Sequence, residues 1–219
     1  MTLPDFSFEE PLWEKSFTVI GIDEVGRGAF AGPVGIGGVV FSPNMSSKEK
    51  KKILSTGIND SKRLTPKKRE YLAEIIKENC LAYETCFIDV ETINAIGVGK
   101  ASFMGMREAA SNLKFKISNL KLKNKELFVL VDGFMISSLT LPQQNIIRGD
   151  SLSISIAAAS IIAKVERDAY MEQLALDEPL YGFEKHKGYG TSYHRSMIAS
   201  HGMGSQHRID FCQNTLKAV

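Results

Sequence analysis

The sequence contains only three cysteines, Cys80, Cys86 and Cys212, and no two of them form a Cys-x-x-Cys pair. This scarcity favours a reducing compartment and argues against a zinc site. No apolar run approaches the roughly 20 residues that a membrane-spanning helix requires. The acidic N-terminus, with Glu9 and Glu10, also lacks the apolar segment of a secretory signal. These absences predict a cytoplasmic protein that does not act at a membrane.

A large excess of charge of either sign is also missing, because 27 basic and 25 acidic residues leave a net charge of +2. That balance is too even to indicate a nucleic-acid binder. Basic residues do cluster at 48–52, 62–69, 114–125 and 185–195. Each such cluster is more often a solvated face than a track for phosphates. A prediction of function therefore has to rest on motifs.

Apolar runs and turn residues predict an α/β or α+β domain with a mixed sheet and a small helical C-terminal appendage. Thr65 and Pro66 are typical of a helix start, as N-cap and first helical residue. The predicted strands cover residues 17–22, 34–41, 81–88, 127–131 and 144–148, and further helices are predicted at 104–113, 151–176 and 192–200.

Acidic residues stand where the apolar strands are predicted to end. Asp23 and Glu24 follow the first strand, Asp132 follows the fourth and Asp150 the fifth. A bare carboxylate near a core is costly unless it is paired, hydrogen-bonded or bound to a cation. One such residue could equally cap a turn, but three sites in one domain favour ligands for Mg²⁺ or Mn²⁺, hard cations that carboxylate oxygens suit.

Asp23 and Glu24 are adjacent, and adjacent residues of a strand point to opposite faces. Both can serve one site only if the strand bends or ends there, which Gly26 and Gly28 make plausible.

Asp168 is the rival of Asp150 as a ligand. If the helix from Ser151 is continuous, Asp168 lies roughly 27 Å along the axis from Asp150, whereas two catalytic ions are only about 4 Å apart. We therefore predict that Asp168 forms an ion pair with Lys164, one turn back, and that Asp150 is the ligand.

Two loops have features that suit nucleic acid. Gly26, Arg27 and Gly28 offer a guanidinium and backbone N–H groups free of Cβ bulk, which permits close approach to a sugar-phosphate backbone. A glycine pair by itself usually marks a tight turn. Tyr189, among the glycines and cations of residues 186–191, could stack on a base or sugar, although such a ring more often packs on its own domain.

Three further residues could contact phosphates: Ser61 and Lys62, before a helix N-cap, and Lys164 on the long helix. For each, a solvated surface position is the more usual role. Residues 97–100 resemble the end of a phosphate loop but lack its upstream glycine, so we interpret them as a turn. The histidines do not have the spacing of a zinc enzyme.

Taken in order, seven segments resemble the ribonuclease HII family, the type 2 ribonucleases H. They are GIDEVGRGAFAGPV (21–34), NDSKRLTPKKRE (59–70), VDG (131–133), RGD (148–150), SIAAASIIAKVERD (155–168), YGFEKHKGYGT (181–191) and HR (207–208). The resemblance runs from about residue 17 to residue 211. It departs from the family pattern at Ala29 and Phe30, where proline and leucine are common, and at Arg148, where lysine is usual.

The resemblance implies a ribonuclease H-like fold, a five-stranded mixed sheet flanked by helices. A catalytic domain (17–178) would lie between an N-terminal extension (1–16) and a substrate-contacting helical region (179–219). The metal ligands and catalytic residues that it implies are Asp23, Glu24, Asp132 and Asp150. The residues that it implies for sensing the 2′-OH are Gly26, Arg27, Gly28 and Tyr189.

The activity that the resemblance implies is that of an endoribonuclease acting on RNA–DNA hybrids and on ribonucleotides embedded in duplex DNA. Cleavage 5′ of the ribonucleotide by a two-metal mechanism would leave 5′-phosphate and 3′-hydroxyl ends. We expect a monomer. Two alternatives stay open at this point: another nuclease or transferase of the same fold that acts on DNA, and a non-catalytic module that binds hybrids.

Overall fold

The computed structural model describes residues 3–118, 120 and 126–216. The strands are β1 (Phe17–Val25), β2 (Val34–Val40), β3 (Ala82–Ile88), β4 (Glu126–Asp132) and β5 (Gln143–Ile146). They form one sheet in the order β3-β2-β1-β4-β5. The pairs β1–β2 and β2–β3 are antiparallel, whereas β1–β4 and β4–β5 are parallel. The predicted five-stranded mixed sheet is therefore confirmed.

Helices flank the sheet and continue beyond it. They are α1 (Glu10–Glu14), α2 (Ser47–Leu54), α3 (Pro66–Asn79), α4 (Val90–Ile96), α5 (Val98–Ser118), α6 (Ile154–Asp177), α7 (Phe183–His186), α8 (Ser192–His201) and α9 (Ile209–Leu216). Thr65 caps α3, as predicted, because its side chain accepts a hydrogen bond from the backbone N–H of Lys68. No helix in the described part of the chain is long and apolar enough to cross a membrane.

Different helices cover the two faces of the sheet. Because side chains alternate along a strand, β1 contributes to two cores. Val19 packs in the cluster that contains the buried residues of α6, while Ile20 and Ile22 pack in the cluster that contains those of α5. Asp23 has the same parity as Val19, so β1 directs Asp23 toward the α6 face and Glu24 toward the other.

Two glycines allow α6 to lie directly against the sheet. A Cβ atom at Gly21 would lie 2.3 Å from the carbonyl carbon of Ser155, and one at Gly37 would lie 2.2 Å from the carbonyl oxygen of Ala159. Real Cβ atoms do not approach so closely. The strand glycines thus permit helix and sheet backbones to touch, and they fix the height of α6 above β1 and β2.

The N-terminal segment supports the start of α6. The carboxylate of Glu9 is fully buried and accepts hydrogen bonds from Ser153 Oγ (2.6 Å) and from the backbone N–H of Ser155 (3.0 Å). Burial raises the pKa of Glu9. Trp13 belongs to the same core cluster as α6. Residues 1–16 were given no role from the sequence, and in the structure Glu9 within this segment holds the N-terminus of the longest helix.

Several predicted boundaries were wrong. β5 ends at Ile146 rather than at residue 148, because Arg148 adopts a left-handed conformation (φ 59°). The long helix begins at Ile154 rather than at residue 151, since Gly149–Ser151 form a 3-10 turn and Ser153 is the N-cap. The first strand extends to Val25.

The helix predicted at 104–113 is longer than expected and spans Val98–Ser118. The interpretation of residues 97–100 as a turn is therefore wrong except at Gly97, whose φ of 81° ends α4. The short helices α1, α2, α4, α7 and α9 were not predicted, because most have too few residues to show a helical period.

We expect Gly21→Ala to lower the free energy of unfolding by about 1–3 kcal/mol, the usual effect of overpacking, because the new methyl group meets the backbone of α6. Gly99→Ala is the matched control. Gly99 lies near the start of α5 with no atom within 4 Å of an added Cβ, so the same change should be neutral or slightly stabilising. Urea unfolding measures both, and equal effects would contradict the backbone contact.

Candidate metal and nucleic-acid site

Three of the four predicted carboxylates meet at one edge of the sheet. Ligand oxygens of Asp23, Asp132 and Asp150 all lie within 4.8 Å of one another, and we call these residues the carboxylate cluster. Asp23 is near the end of β1, Asp132 is the last residue of β4, and Asp150 lies in the turn after β5. Because these neighbouring strands are parallel, their C-terminal ends share one edge, and the three side chains converge there.

The loop after β5 holds the cluster in shape. The N–H of Gly149 donates to Asp132 Oδ1 (2.6 Å), and the left-handed conformation of Arg148 turns the chain so that it can do so. A Cβ at Gly149 would lie 2.7 Å from Ile156 Cδ1, so a larger residue would require the Ile156 side chain to shift. The backbone of the loop therefore orients the central carboxylate.

Burial and mutual repulsion make the cluster a strong attractor for cations. Burial, followed by repulsion from Asp132 and Glu24, raises the pKa of Asp23 well above its usual range. Burial and the nearby Asp60 and Asp132 raise the pKa of Asp150. Hard oxygen donors crowded in this way are the donor set that Mg²⁺ or Mn²⁺ takes.

Glu24 does not belong to the carboxylate cluster. The β1–β2 ladder continues without a break through Glu24, opposite Ile36, and on to Val25, so the expected bend is absent and Glu24 keeps the opposite parity to Asp23. Its Oε1 pairs with Arg27 Nη1 at 3.3 Å. Burial raises the pKa of Glu24, and Arg27 offsets part of that rise. Glu24 thus lies at the rim of the site.

A pocket of about 250 Å³ is lined by two residues of the carboxylate cluster, Asp23 and Asp132. It brings together every residue that the sequence proposed for substrate binding. Its lining is Asp23, Glu24, Val25, Gly26, Arg27, Gly28, Ser61, Lys62, Asp132, Ser160, Lys164 and Tyr189. Lys62 and Lys164, for which a solvated surface position is the more usual role, both line this concave surface, and Lys62 is exposed there.

Ser160 is a pocket residue that the sequence did not reveal. Its Oγ lies 3.0 Å from the Oγ of Ser61, in a buried pair, and a hydrogen bond from Ser160 favours the charged form of Asp23 and so lowers its pKa. Ser61 is itself buried (3% exposed), so its hydroxyl faces α6 rather than solvent. The available signal was a serine within the apolar helix of residues 155–163.

The two lysines of the pocket differ in their partners. Burial lowers the pKa of Lys62, but Asp150 and Asp23 outweigh that effect and raise it overall. Lys164 Nζ pairs with Asp168 Oδ1 at 2.6 Å, which confirms the ion pair predicted for Asp168. Arg69 reaches the same carboxylate at 3.4 Å.

Tyr189 projects from the tyrosine loop (residues 187–191) and lies beside two cations. Lys164 Nζ is 5.6 Å and Arg167 Cζ is 5.7 Å from its ring centroid. The loop is bonded to the chain that follows the glycine loop (residues 26–28), because the carbonyl of Gly188 accepts from the N–H of Phe30 at 2.8 Å. The glycine loop and the tyrosine loop are therefore connected through this backbone hydrogen bond.

A buried arginine fastens the glycine loop. Arg208 Nη1 donates to the carbonyls of Gly26 (2.8 Å) and Arg27 (3.0 Å), and its Nε donates to Gly32 (2.9 Å). Burial, together with the nearby Arg167, lowers the pKa of Arg208 to about 9. The sequence segment HR was noted without a role, since these contacts span more than 170 positions.

A second buried arginine joins the two loops. Arg167 donates through Nε to Pro33 (2.9 Å), through Nη2 to Ala31 (3.2 Å) and through Nη1 to Lys187 (2.9 Å), each time to a backbone carbonyl. Its first two acceptors follow the glycine loop and the third opens the tyrosine loop. Buried guanidinium groups thus set the distance between the recognition elements.

Three buried histidines support the tyrosine loop from behind. Carbonyl oxygens only accept, so His186 Nε2 donates to Tyr181 (2.9 Å) and His194 Nδ1 donates to Tyr189 (3.0 Å). His194 Nε2 is then the acceptor in its 3.0 Å contact with His207 Nε2. In this arrangement His194 is neutral with a defined tautomer, because a proton added at its Nε2 would face the N–H of His207 and place two donors face to face.

The chain resembles known proteins along nearly its whole length. The family model for ribonuclease HII matches residues 20–214. The ribonuclease HII of Caldicellulosiruptor bescii is 42% identical over 96% of this chain and 95% of that protein. A chain of the PCNA:RNase HII complex from Archaeoglobus fulgidus aligns with a TM-score of 0.66 and 28% identity, over 88% of this chain and 94% of that one.

A structure of Bst-RNase HIII in complex with Mn²⁺ aligns with a TM-score of 0.71 and 19% identity, over 93% of this chain and 70% of that one. At that identity the likeness concerns the fold alone. Together with the topology of the sheet, these neighbours confirm the ribonuclease H-like fold.

We expect Mg²⁺ to raise the midpoint of thermal unfolding, because it relieves repulsion within the carboxylate cluster. In EDTA, Asp23→Asn should raise the midpoint by a few degrees, since about 1 kcal/mol moves the midpoint by about 2–4 °C in a protein of this size. Adding Mg²⁺ should then raise the midpoint of Asp23→Asn by less than it raises that of the wild type. Asp177→Asn, an exposed carboxylate at the far end of α6, is the control. A larger Mg²⁺ shift in Asp23→Asn than in the wild type would contradict the assignment.

We expect the histidines to make stability fall at acidic pH. Burial lowers the pKa of His194 to about 4, below the unfolded value near 6.5, so its contribution is complete above pH 6.5 and is lost as pH falls toward 4. When the pH is lowered from 7.5 to 5.0, the free energy of unfolding of His194→Asn should fall by about 2 kcal/mol less than that of the wild type. His201→Asn, at an exposed position, should behave as the wild type. Denaturant unfolding at both pH values measures the free energy of unfolding of the three proteins, and an equal loss in all three would refute the idea.

Proposed function

The chain belongs to the ribonuclease HII family, and on that basis we propose how its pocket works as an endoribonuclease. Its substrates are RNA–DNA hybrids and duplex DNA with embedded ribonucleotides. Cleavage falls on the 5′ side of the ribonucleotide and leaves 5′-phosphate and 3′-hydroxyl ends. The observation that carries this proposal is the carboxylate cluster at the floor of a pocket that is lined by cations and by Tyr189.

We assign catalysis to Asp23, Glu24, Asp132 and Asp150. The three residues of the carboxylate cluster would hold the metal, with Asp23 and Asp132 as the central ligands. Glu24 would complete the set from the rim, where its pair with Arg27 competes with metal binding. Two divalent ions, Mg²⁺ or Mn²⁺, would supply an activated water and stabilisation of the leaving 3′ oxygen.

The chain's own groups would orient the substrate. Gly28 has no atom within 4 Å of an added Cβ, so a sugar can approach its backbone closely. Gly26, Arg27 and Gly28 would sense the 2′-OH from one side and Tyr189 from the other. Lys62 and Lys164 would neutralise phosphate charge, while Ser61 would act through its buried bond to Ser160.

One chain suffices for this proposal, because every assigned residue lines a single pocket or its floor. We therefore keep a monomer as the working state.

Cleavage assays on three substrates test the proposal: a duplex with one ribonucleotide, a long hybrid and an all-DNA duplex. The wild type should cut the first two with Mg²⁺ or Mn²⁺ and spare the third. Asp23→Asn should lower turnover by about three orders of magnitude or more while binding to the hybrid persists, and Asp177→Asn should cut normally.

Near-normal turnover by Asp23→Asn would refute the metal assignment. Cutting of the all-DNA duplex would identify a different nuclease on the same fold. Binding of the hybrid without cleavage under either metal would identify a binding module.

A further inference from the structure

Three exposed apolar residues follow β4 and β5, the strands whose ends carry Asp132 and lead to Asp150. Phe134 is 63% exposed, Met135 55% and Ile147 75%. Phe134 and Met135 follow Asp132 after a single glycine, and Ile147 precedes Asp150 by three positions. Scattered exposed apolar residues are ordinary, but a group beside a site marks a contact surface.

The turn that carries Phe134 is held firmly. The N–H of Gly133 donates to the carbonyl of Ile146, and the N–H of Phe134 donates to the carbonyl of Asp132, both at 2.9 Å. Asn145 Nδ2 donates to the carbonyl of Gly133, also at 2.9 Å. Gly133 supplies the positive φ (71°) that the turn requires. The ring is therefore presented from a fixed backbone although most of its surface meets solvent.

Phe134 is also connected to the glycine loop. The guanidinium carbon of Arg27 lies 5.6 Å from the centroid of the Phe134 ring, while Nη1 of the same residue pairs with Glu24. Arg27 lines the pocket and remains 43% exposed. The aromatic ring is thus continuous with the pocket wall and is not an isolated surface residue.

The distance along the chain from Asp132 to Phe134 is short on the scale of a nucleic-acid strand. The Cα atoms of Asp132 and Phe134 are two residues apart, which is at most about 7 Å, and successive nucleotides rise by about 3.4 Å. The backbone that carries the ring therefore lies within about two nucleotide spacings of a phosphate held at Asp132.

Building on the proposed function, we infer that Phe134 is a substrate-binding residue whose exposed ring stacks on a nucleobase within about two nucleotides of the scissile position. Every base has an aromatic face, so such a contact tolerates any sequence. It adds to the sensing of the 2′-OH by fixing the register of the strand relative to the carboxylate cluster. The cation–π contact with Arg27 keeps the ring and the glycine loop aligned.

Binding measurements test this inference without depending on cleavage. In an Asp23→Asn background, the dissociation constant for a ribonucleotide-containing duplex is measured by fluorescence anisotropy. Phe134→Ala and Phe134→Leu should each weaken binding about tenfold, as expected for one lost base–aromatic stack, and Phe134→Trp should bind within about twofold of the parent. Phe115→Ala, another exposed phenylalanine on α5, is the matched control and should have no effect.

Two further results decide the mode of contact. With 2-aminopurine placed near the ribonucleotide, fluorescence should be quenched on binding by the parent and by Phe134→Trp, but not by Phe134→Leu. In a double-mutant cycle, the loss caused by Phe134→Ala should persist in an Arg27→Ala background. Disappearance of that loss would mean that the ring only positions Arg27, and it would overturn the stacking contact.

Binding by Phe134→Ala or Phe134→Leu that equals the parent would also overturn the inference. Failure of the proposed function is separable, because it shows as an uncut substrate with the wild-type protein, whatever residue 134 contributes to binding.

Discussion

The site depends on the contact between α6 and the central strands at Gly21 and Gly37. Because no side chain separates the two backbones there, the helix has one possible height above the sheet. That height sets Ser160 against Asp23 and brings Lys164 to the mouth of the pocket. The buried carboxylate of Glu9 fixes the start of the same helix, so the position of the helix along its own axis is also determined. The catalytic edge of the sheet and its cationic wall are consequently parts of one rigid assembly.

The buried acidic and basic groups around that assembly are stabilised in different ways. The carboxylate cluster keeps its repulsion, relieved in part by Ser160 and by the backbone N–H of Gly149. Arg167 and Arg208 instead donate to carbonyl oxygens, whose partial charges satisfy most of the guanidinium donors without an acid. Neutral acceptors allow the recognition loops to be fastened without disturbing the electrostatics of the cluster.

The sequence predicted those features that have a local or periodic signal. Strand ends located Asp23, Asp132 and Asp150, and the parallel pairing of β1, β4 and β5 made them meet. Helical spacing located the ion pair of Lys164 with Asp168. The period of two also explains why Glu24 lies apart, although the bend that was expected there is absent. Ser160, Arg167, Arg208 and the paired histidines could not be assigned roles, because each acts through a partner distant in sequence and leaves no local pattern. Glu9 was hidden for the same reason, since its partners are 144 and 146 residues away.

The bond between Glu9 and the start of α6 also has a meaning for biosynthesis. A ribosome adds about 5–20 residues each second, so Asp23 is made roughly 6–25 seconds before Asp150, and Glu9 waits slightly longer for its partners. For most of that interval β1 lacks β4, and throughout it β1 lacks α6. Tyr189, which lines the pocket, and Arg208, which fastens the glycine loop, are added later still. The nascent chain therefore carries Asp23 and Glu24 early, but the pocket cannot be assembled until residue 208 has been made.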